Sequence, residues 1–203
     1  MSSPATVVPF RLSGLSRLSD VLDPAQRRAL ATAMLSDVVA TVRDAGLAPT
    51  IAAADEASRA AVASTLPDVA CALDPIDGDL DGAVAVHAAA HPDGLLVVMA
   101  DLPALSPAEL HAVLEQPASV VVAESSDGGT GALLRRPATV IGTAYGARSA
   151  RRHADLAVAA GVAWIGLHLP GFLAEIDRPE DLTAAADWPL GPSTAQALQD
   201  LRT

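Results

Sequence analysis

The chain has 203 residues, of which 51% are hydrophobic and 2% aromatic, and a formal net charge of −11. That is ample for a buried core and points against disorder, while an acidic surface so poor in stacking side chains excludes nucleic-acid and anionic-membrane partners. All thirteen cations are arginine, so a P-loop, which needs a lysine on the phosphates, is excluded; the lone Cys71 allows neither an intrachain disulfide nor a cysteine-based zinc site.

In chain order, Thr6–Pro9 reads as a first strand, and Pro9-Phe-Arg-Leu-Ser-Gly-Leu-Ser-Arg-Leu18 as the loop that leaves it. A helix over Pro24–Ala45 is well signalled. Leu30, Met34, Leu35, Val38, Val39 and Val42 recur on one face, Asp23 and Gln26 form a capping box around Pro24, and Gly46 ends it. Strands are expected at Pro49–Ala53, Val69–Leu73 (with Cys71 in the strand core), Leu95–Met99, Ser119–Ala123, Ala132–Arg135 and Ala163–Leu167. Helices are expected at Asp55–Ser64, Leu80–Ala90, Pro107–Glu115, Ser149–Ala160 and Pro179–Ala186, with a weaker one at Ser193–Leu201. The acidic stretch Asp74–Asp81 is the most irregular. Alternating elements with continuously apolar strands predict an α/β sandwich around a mostly parallel sheet, with ligands beyond the strands' carboxyl ends. No linker or internal repeat divides the chain, so one domain over 1–203 is expected. The N-terminus lacks a leader-like pattern and no apolar run approaches the roughly 20 residues of a membrane span, which predicts a cytoplasmic protein.

Leu95-Leu-Val-Val-Met-Ala-Asp101 delivers a carboxylate to a strand exit, and Ala174-Glu-Ile-Asp177 is read as placing another at a second strand exit just before a helix. Two such carboxylates can hold a divalent cation against a phosphate. Asp101 can equally be a turn residue ahead of Pro103, and Asp177 a helix cap, since Asp177-Arg-Pro-Glu180 has the form of a capping box. In the first loop Gly14 permits close backbone approach and Arg11 and Arg17 can grip a triphosphate, or merely balance nearby acids. Gly128-Gly-Thr-Gly131 and the helix start at Ser149 suit an anion, although ordinary turns and an N-cap have the same composition. Arg148, Arg151, Arg152 and His153 form the densest basic cluster, read either as an anion site or as a solvated face paired with Asp155. His87, His91, His111 and His168 have no metal-ligand spacing.

Taken together, Val7-Val-Pro-Phe10, Ser16-Arg-Leu18, Ala33-Met-Leu-Ser-Asp-Val38, Met99-Ala-Asp-Leu-Pro-Ala-Leu105, Gly128-Gly-Thr-Gly-Ala-Leu133, Tyr145-Gly-Ala-Arg-Ser149 with His153, and Ile176-Asp-Arg-Pro-Glu-Asp-Leu182 resemble the 2-phospho-L-lactate guanylyltransferase family of deazaflavin-coenzyme biosynthesis. The resemblance implies a three-layer nucleotide-diphospho-sugar transferase-like fold, related to the molybdenum-cofactor guanylyltransferases. It implies transfer of GMP from GTP to 2-phospho-L-lactate or phosphoenolpyruvate with release of pyrophosphate, in making coenzyme F-420. Mg²⁺ would be held by Asp101 and Asp177, with Arg17 as a third catalytic residue. The nucleotide would be bound by Pro9, Arg11, Gly14, Ser16, Arg17 and Asp81, and the acid by Thr130, Gly146 and Ser149. A homodimer is also implied, although no segment identifies its interface. Three positions depart from the family pattern: Leu15 for a usual lysine, Asp81 for an asparagine, and Gly131 for an asparagine. All three are expected to touch nucleotide handling. The alternatives are a molybdopterin or sugar-phosphate nucleotidyltransferase of the same fold, or a catalytically weak nucleotide-binding protein.

Overall fold

The computed structural model describes residues 3–73 and 79–201; the core of the acidic stretch Asp74–Asp81 lies outside them. Its strands are β1 (Ala5–Phe10), β2 (Pro49–Ala53), β3 (Ala70–Leu73), β4 (Leu95–Val98), β5 (Val120–Glu124), β6 (Thr130–Arg135) and β7 (Trp164–Leu167). They form one sheet in the order β3-β2-β1-β4-β6-β5-β7. Every pairing is parallel except those of β6, which runs antiparallel to both β4 and β5. The expected mostly parallel sheet is therefore found, with one reversed strand that returns from β5 as a hairpin.

The helices are α1 (Pro24–Asp44), α2 (Glu56–Thr65), α3 (Leu80–Ala90), α4 (Pro107–Leu114), α5 (Ser149–Ala159), α6 (Pro170–Leu173), α7 (Pro179–Ala184) and α8 (Pro192–Asp200). The larger core joins Val8, Leu96, Val98 and Leu134 of the sheet to Leu30, Leu35 and Val38 of α1, Leu110 of α4, Phe172 of α6 and Leu198 of α8. On the opposite face Val7 and Val97 pack on Val84 of α3, and Val122 and Leu133 on Ala150 and Ala157 of α5. Both sheet faces are thus covered, which is why the strands read as unbroken apolar runs. Among the described residues no helix is long and apolar enough to cross a membrane.

Local signals account for most boundaries. Asp23 accepts from the Ala25 and Gln26 amides while Gln26 Oε1 accepts from Asp23 N, the capping box read from the sequence. Gly46 follows the helix at φ 77°, where a side chain would be strained. Two expectations change. Cys71 lies on β3 and is only half-buried, because β3 is the edge strand of the sheet among the described residues. The short helix α6 lies where no element is expected: Pro170 takes the first helical position and Phe172 is driven into the core.

The C-terminal α8 is tied down by a buried carboxylate of α1. Asp37 Oδ1 accepts from Ser193 N at 3.0 Å and Oδ2 from Thr194 N at 2.7 Å, capping α8 from outside its own chain segment. Gly191 is required beside it, since a Cβ there would lie 2.3 Å from Asp37 Cγ. Asp37→Ala is expected to lower the unfolding free energy by about 2–3 kcal/mol, the scale of lost hydrogen bonds to a charged group. Urea denaturation measures it, and a change below about 0.5 kcal/mol, the range of an ordinary surface substitution, would contradict the strut.

Candidate active site at the carboxyl ends of the central strands

The chain proceeds outward from β1 through β2 to β3, then crosses to β4 on the other side of β1. The carboxyl ends of β1 and β4 therefore flank a topological switch point, where open α/β sheets leave a crevice. Two adjoining clefts open there. One, of about 150 Å³, is lined by residues that include Pro9, Arg11, Gly14, Met34, Met99 and Asp101. The other, of about 160 Å³, shares Pro9, Arg11 and Met99 and adds Ala52, Ala54 and Leu80. Larger hollows of about 500 and 640 Å³ surround Pro4 and Arg136 at the opposite ends of the strands, away from Asp101.

The loop after β1 is built to expose its polar residues. Gly14 N bonds Arg11 O at 3.0 Å, and a Cβ on Gly14 would meet that carbonyl at 3.0 Å. Leu15 follows in the left-handed region at φ 57°, an uncommon conformation for a residue with a side chain. A single 3-10 turn, Ser16–Leu18, comes next. Leu15 and Leu18 are buried, which turns Ser16 and Arg17 outward between them. Of the six residues expected on the nucleotide, Pro9, Arg11 and Gly14 line the clefts and Ser16 and Arg17 stand on the adjoining turn. Asp81 does not follow them. Its Oδ1 accepts from Tyr145 N at 3.0 Å, and Leu80 lines the cleft instead, because one step along a helix rotates the side chain by about 100°.

Beside this loop four carboxyl groups gather. Asp101 Oδ1 is buried with no hydrogen-bond partner. Burial pushes the Asp101 carboxyl up to about 6, against the pull of its own backbone amide, and Asp177 and Asp127 push it further. Glu175 is pushed up to about 8, by burial first and then by Asp101, Asp127 and Asp177. Arg17 Nη1 donates to Asp177 Oδ2 and lies 4.0 Å from Asp127 Oδ2. The Asp127 carboxylate is itself held, since Oδ1 accepts from Gly129 N at 2.8 Å and Ser125 Oγ at 3.0 Å.

Asp177 arrives differently from the strand-exit setting expected of it. β7 ends at Leu167, and α6 intervenes before the extended run that carries Asp177. The helix-cap reading also fails. α7 is preceded by Arg178, and the acceptor is Asp181, whose Oδ2 takes Asp177 N at 3.0 Å and Arg178 N at 2.7 Å. The Asp177 carboxylate is therefore left to face Arg17. Asp127 and Glu175 were missed in the sequence. Asp127 sits in Ser125-Ser-Asp-Gly-Gly129, a hairpin turn signal whose position over Asp101 depends on β6 lying next to β4.

The third part of the site hangs on the same hairpin. Ala123 pairs with Ala132, yet Glu124 pairs with Thr130, so Gly131 is an extra residue on β6. Such a bulge reverses the alternation of side chains. Ala132 faces the α1 side, while Thr130 turns to α5. Gly131 has no room for a side chain, as a Cβ would lie 2.9 Å from Cδ1 of the fully buried Phe172. Thr130 Oγ1 lies 3.0 Å from His153 Nδ1 and accepts from Ser149 Oγ at 2.9 Å. Ala144 N donates to His153 Nε2 at 3.0 Å, so the ring proton of a neutral His153 sits on Nδ1 and is given to Thr130. With two donors aimed at Thr130 Oγ1, its own O–H is left to donate elsewhere.

This network changes the reading of the basic cluster. His153 is fully buried, and burial lowers it to about 4, so it is neutral near pH 7. Arg151 pairs with Asp155 and Arg152 Nη2 holds Tyr145 O at 2.6 Å, leaving Arg148 exposed. Ser149 is the first residue of α5 and not its cap, and the amides of Ser149 and Ala150 bond Gly146 O and Gly128 O. Gly146 is at φ 104° and Arg148 at φ 55°, so the loop turns sharply around Thr130 and Ser149.

Comparison with known proteins agrees with this architecture. Residues 5–184 match the family model described as "Guanylyl transferase CofC like". A phosphoenolpyruvate guanylyltransferase of Nocardia farcinica is 35% identical over 197 residues, covering 92% of this chain and 85% of that protein. A 2-phospho-L-lactate guanylyltransferase of Halobacterium salinarum is 36% identical over 179 residues, covering 87% and 81%. In fold, the chain is similar to a putative nucleotide-diphospho-sugar transferase from Desulfovibrio desulfuricans, with TM-score 0.77, 14% identity and 99% of each chain covered.

Proposed function

The chain belongs to the CofC-like guanylyl transferase family, and from that premise we propose that it transfers GMP from GTP to the phosphate of 2-phospho-L-lactate or phosphoenolpyruvate, within the biosynthesis of the deazaflavin coenzyme F-420. The observation that carries this reading is the loop after β1, whose Arg17 meets Asp177 beside the buried, unpartnered Asp101 Oδ1 at the carboxyl ends of the central strands; on the adjoining hairpin Thr130 accepts from two donors, which leaves its own O–H to donate. On this reading 1–203 is one catalytic domain working in the cytoplasm, with no nucleic-acid or membrane partner, and a homodimer follows the family resemblance.

The donor set suits Mg²⁺. Asp101 Oδ1 is a buried oxygen without a partner, and Asp177 presents another beside it. Among the described residues no three His, Cys, Asp or Glu side chains converge closely enough to hold an ion alone. That leaves places for phosphate oxygens and water, the usual share for Mg²⁺. When bound, the ion would neutralise charge on the triphosphate and on the α-phosphorus under attack. The protein's part is placement. Pro9, Arg11, Gly14 and Leu80 shape the nucleotide cleft, Ser16 and Arg17 meet the phosphates, and Thr130, with Gly146 and Ser149, receives the acid. A phosphate oxygen of the acid attacks the α-phosphorus and the bond to pyrophosphate breaks. No general base is needed, because that oxygen is already ionised near pH 7. The neutral, internally bonded His153 is accordingly a strut for Thr130.

A substrate matrix tests the proposal. GTP, ATP and CTP are crossed with 2-phospho-L-lactate, phosphoenolpyruvate and 3-phosphoglycerate, and pyrophosphate release is measured. Release is expected with GTP and one of the first two acids. Release only with 3-phosphoglycerate or another nucleotide would correct the substrate, and none with any pair would leave a nucleotide-binding protein.

A further inference from the structure

Arg17 is in contact with Asp177, one of the two carboxylates read above as holding the cation. Its Nη1 donates to Asp177 Oδ2 while lying 4.0 Å from Asp127 Oδ2. A guanidinium in contact with this carboxylate takes up one of its acceptor sites and repels a divalent ion approaching the same group, so the ion binds better once the guanidinium has moved off. The side chain is free to leave: it is 53% exposed and stands on a 3-10 turn whose backbone is pinned by buried Leu15 and Leu18 on either side. Asp127 is not free to follow Asp177 away. Its Oδ1 is fixed by Gly129 N and Ser125 Oγ, which leaves Oδ2 as a stationary negative oxygen beside the guanidinium.

We propose that Arg17 is an exchangeable internal counter-cation: it holds Asp177 before nucleotide arrives, gives that oxygen up to the divalent ion, and is then kept in the crevice by Asp127, the positioning residue that sets it on the phosphates. The inference rests on reading Asp101 and Asp177 as metal-holding carboxylates. Its signature is a pair of opposite effects. Removing Arg17 should strengthen metal binding without nucleotide, because Asp177 is released, and weaken the nucleotide, because a phosphate contact is lost. An arginine that only binds phosphate would show the second effect alone.

Mn²⁺ titration of the full chain without nucleotide, followed by electron paramagnetic resonance, is the test, using wild type, Arg17→Gln, Arg178→Gln and Asp101→Asn. Arg178→Gln removes the same charge from the residue next to Asp177, where it makes no contact with that carboxylate, and so measures through-space repulsion. Arg17→Gln is expected to bind Mn²⁺ about fivefold tighter than wild type and Arg178→Gln less than about twofold tighter, the scale of a half-exposed ion pair. Equal effects of the two variants, or weaker binding by Arg17→Gln, would overturn the exchange while a loss of Mn²⁺ in Asp101→Asn still upheld the metal site. Full binding by Asp101→Asn, or none by wild type, would overturn both.

Asp127→Asn keeps the acceptor for Gly129 and Ser125 but loses the charge. It should raise the GTP concentration needed for half-maximal pyrophosphate release about fivefold in the wild-type background. In the Arg17→Gln background it should add nothing, whereas additive effects would remove Asp127 from the proposal.

Discussion

Asp101→Asn is expected to cut pyrophosphate release to about one hundredth of wild type or less, and Asp177→Asn to do the same, because on the proposed reading each would remove a negative oxygen from a metal ion whose charge stabilisation is worth several kcal/mol at about 1.4 kcal/mol per tenfold. The two variants should part company in stability. The folded Asp101 carboxyl titrates at about 6 against an ordinary 3.8, chiefly because it is buried. Between those values the folded chain keeps a proton that the unfolded chain has lost. The contribution of this group to stability is therefore fully present below about pH 4 and is lost as pH rises through about 6. Above that, an ionised oxygen without a partner is a liability on the order of 1–3 kcal/mol, which asparagine removes. Asp101→Asn should thus be inactive yet more stable than wild type at pH 8 without metal, with the advantage gone near pH 4. Asp177→Asn gives up only an exposed pair with Arg17 and should leave stability almost unchanged. Pyrophosphate assays and thermal unfolding at the two pH values check both. Full turnover in either variant would remove that residue from the metal, and a lower melting temperature of Asp101→Asn at pH 8 would contradict its strained burial.

Thr130→Val should cost about 3 kcal/mol or more of unfolding free energy, although a lone substrate-binding hydroxyl would cost almost nothing in the unliganded protein. The hydroxyl is the shared acceptor of His153 Nδ1–H and Ser149 Oγ–H, and all three residues are buried. Valine fills the same volume and strands both donors away from water, each at about 1–3 kcal/mol. Thr130→Ser keeps the acceptor and should restore most of the stability. Ser149→Ala removes one donor and no acceptor, so a loss of about 1 kcal/mol is expected. Urea denaturation of the three variants gives the ranking, and a stable Thr130→Val would mean that the network has other partners. For binding, Thr130→Ser is the informative variant. Normal affinity for the phosphorylated acid in Thr130→Ser, with loss in folded Thr130→Val, would place the hydroxyl proton on the substrate.

The parts of the fold that local chemistry determines are legible in the sequence. The capping box at Asp23, the glycine at position 46 and the apolar runs of β1, β2 and β4 each reappear within a residue or so of the expected boundaries. Asp101 is legible for the same reason, since an apolar strand followed by Asp-Leu-Pro can only deliver its carboxylate at the strand's end. What was not legible depends on lateral order. Nothing in Thr130–Arg135 announces that β6 lies between β4 and β5 in reverse, and that placement is what brings Asp127 towards Asp101. His153 looked like one cation among four because its neighbours in sequence are arginines. Its charge is decided by burial against Thr130, Ala144 and Tyr145, none of them adjacent to it in the chain. Asp81 is placed on the nucleotide by the family resemblance, which carries no information on side-chain direction: its Oδ1 accepts from Tyr145 N while its neighbour Leu80 lines the cleft.

Connections between strands ordinarily accept added or missing residues, yet the one between β5 and β6 is a counted segment. Asp127 and Thr130 stand three positions apart on it, one facing the carboxylates and the other facing α5, and the unpaired Gly131 is what turns Thr130 away from the face that Ala132 takes. Deleting Gly131 would restore a regular ladder, swing Thr130 towards Phe172 and release His153 and Ser149 together. Adding a residue before it would shift Asp127 away from Arg17. Length variation in this family of folds should therefore be permitted between other elements and suppressed between Glu124 and Ala132. A scan of single-residue insertions and deletions would show that as a short interval of intolerance inside an otherwise permissive surface.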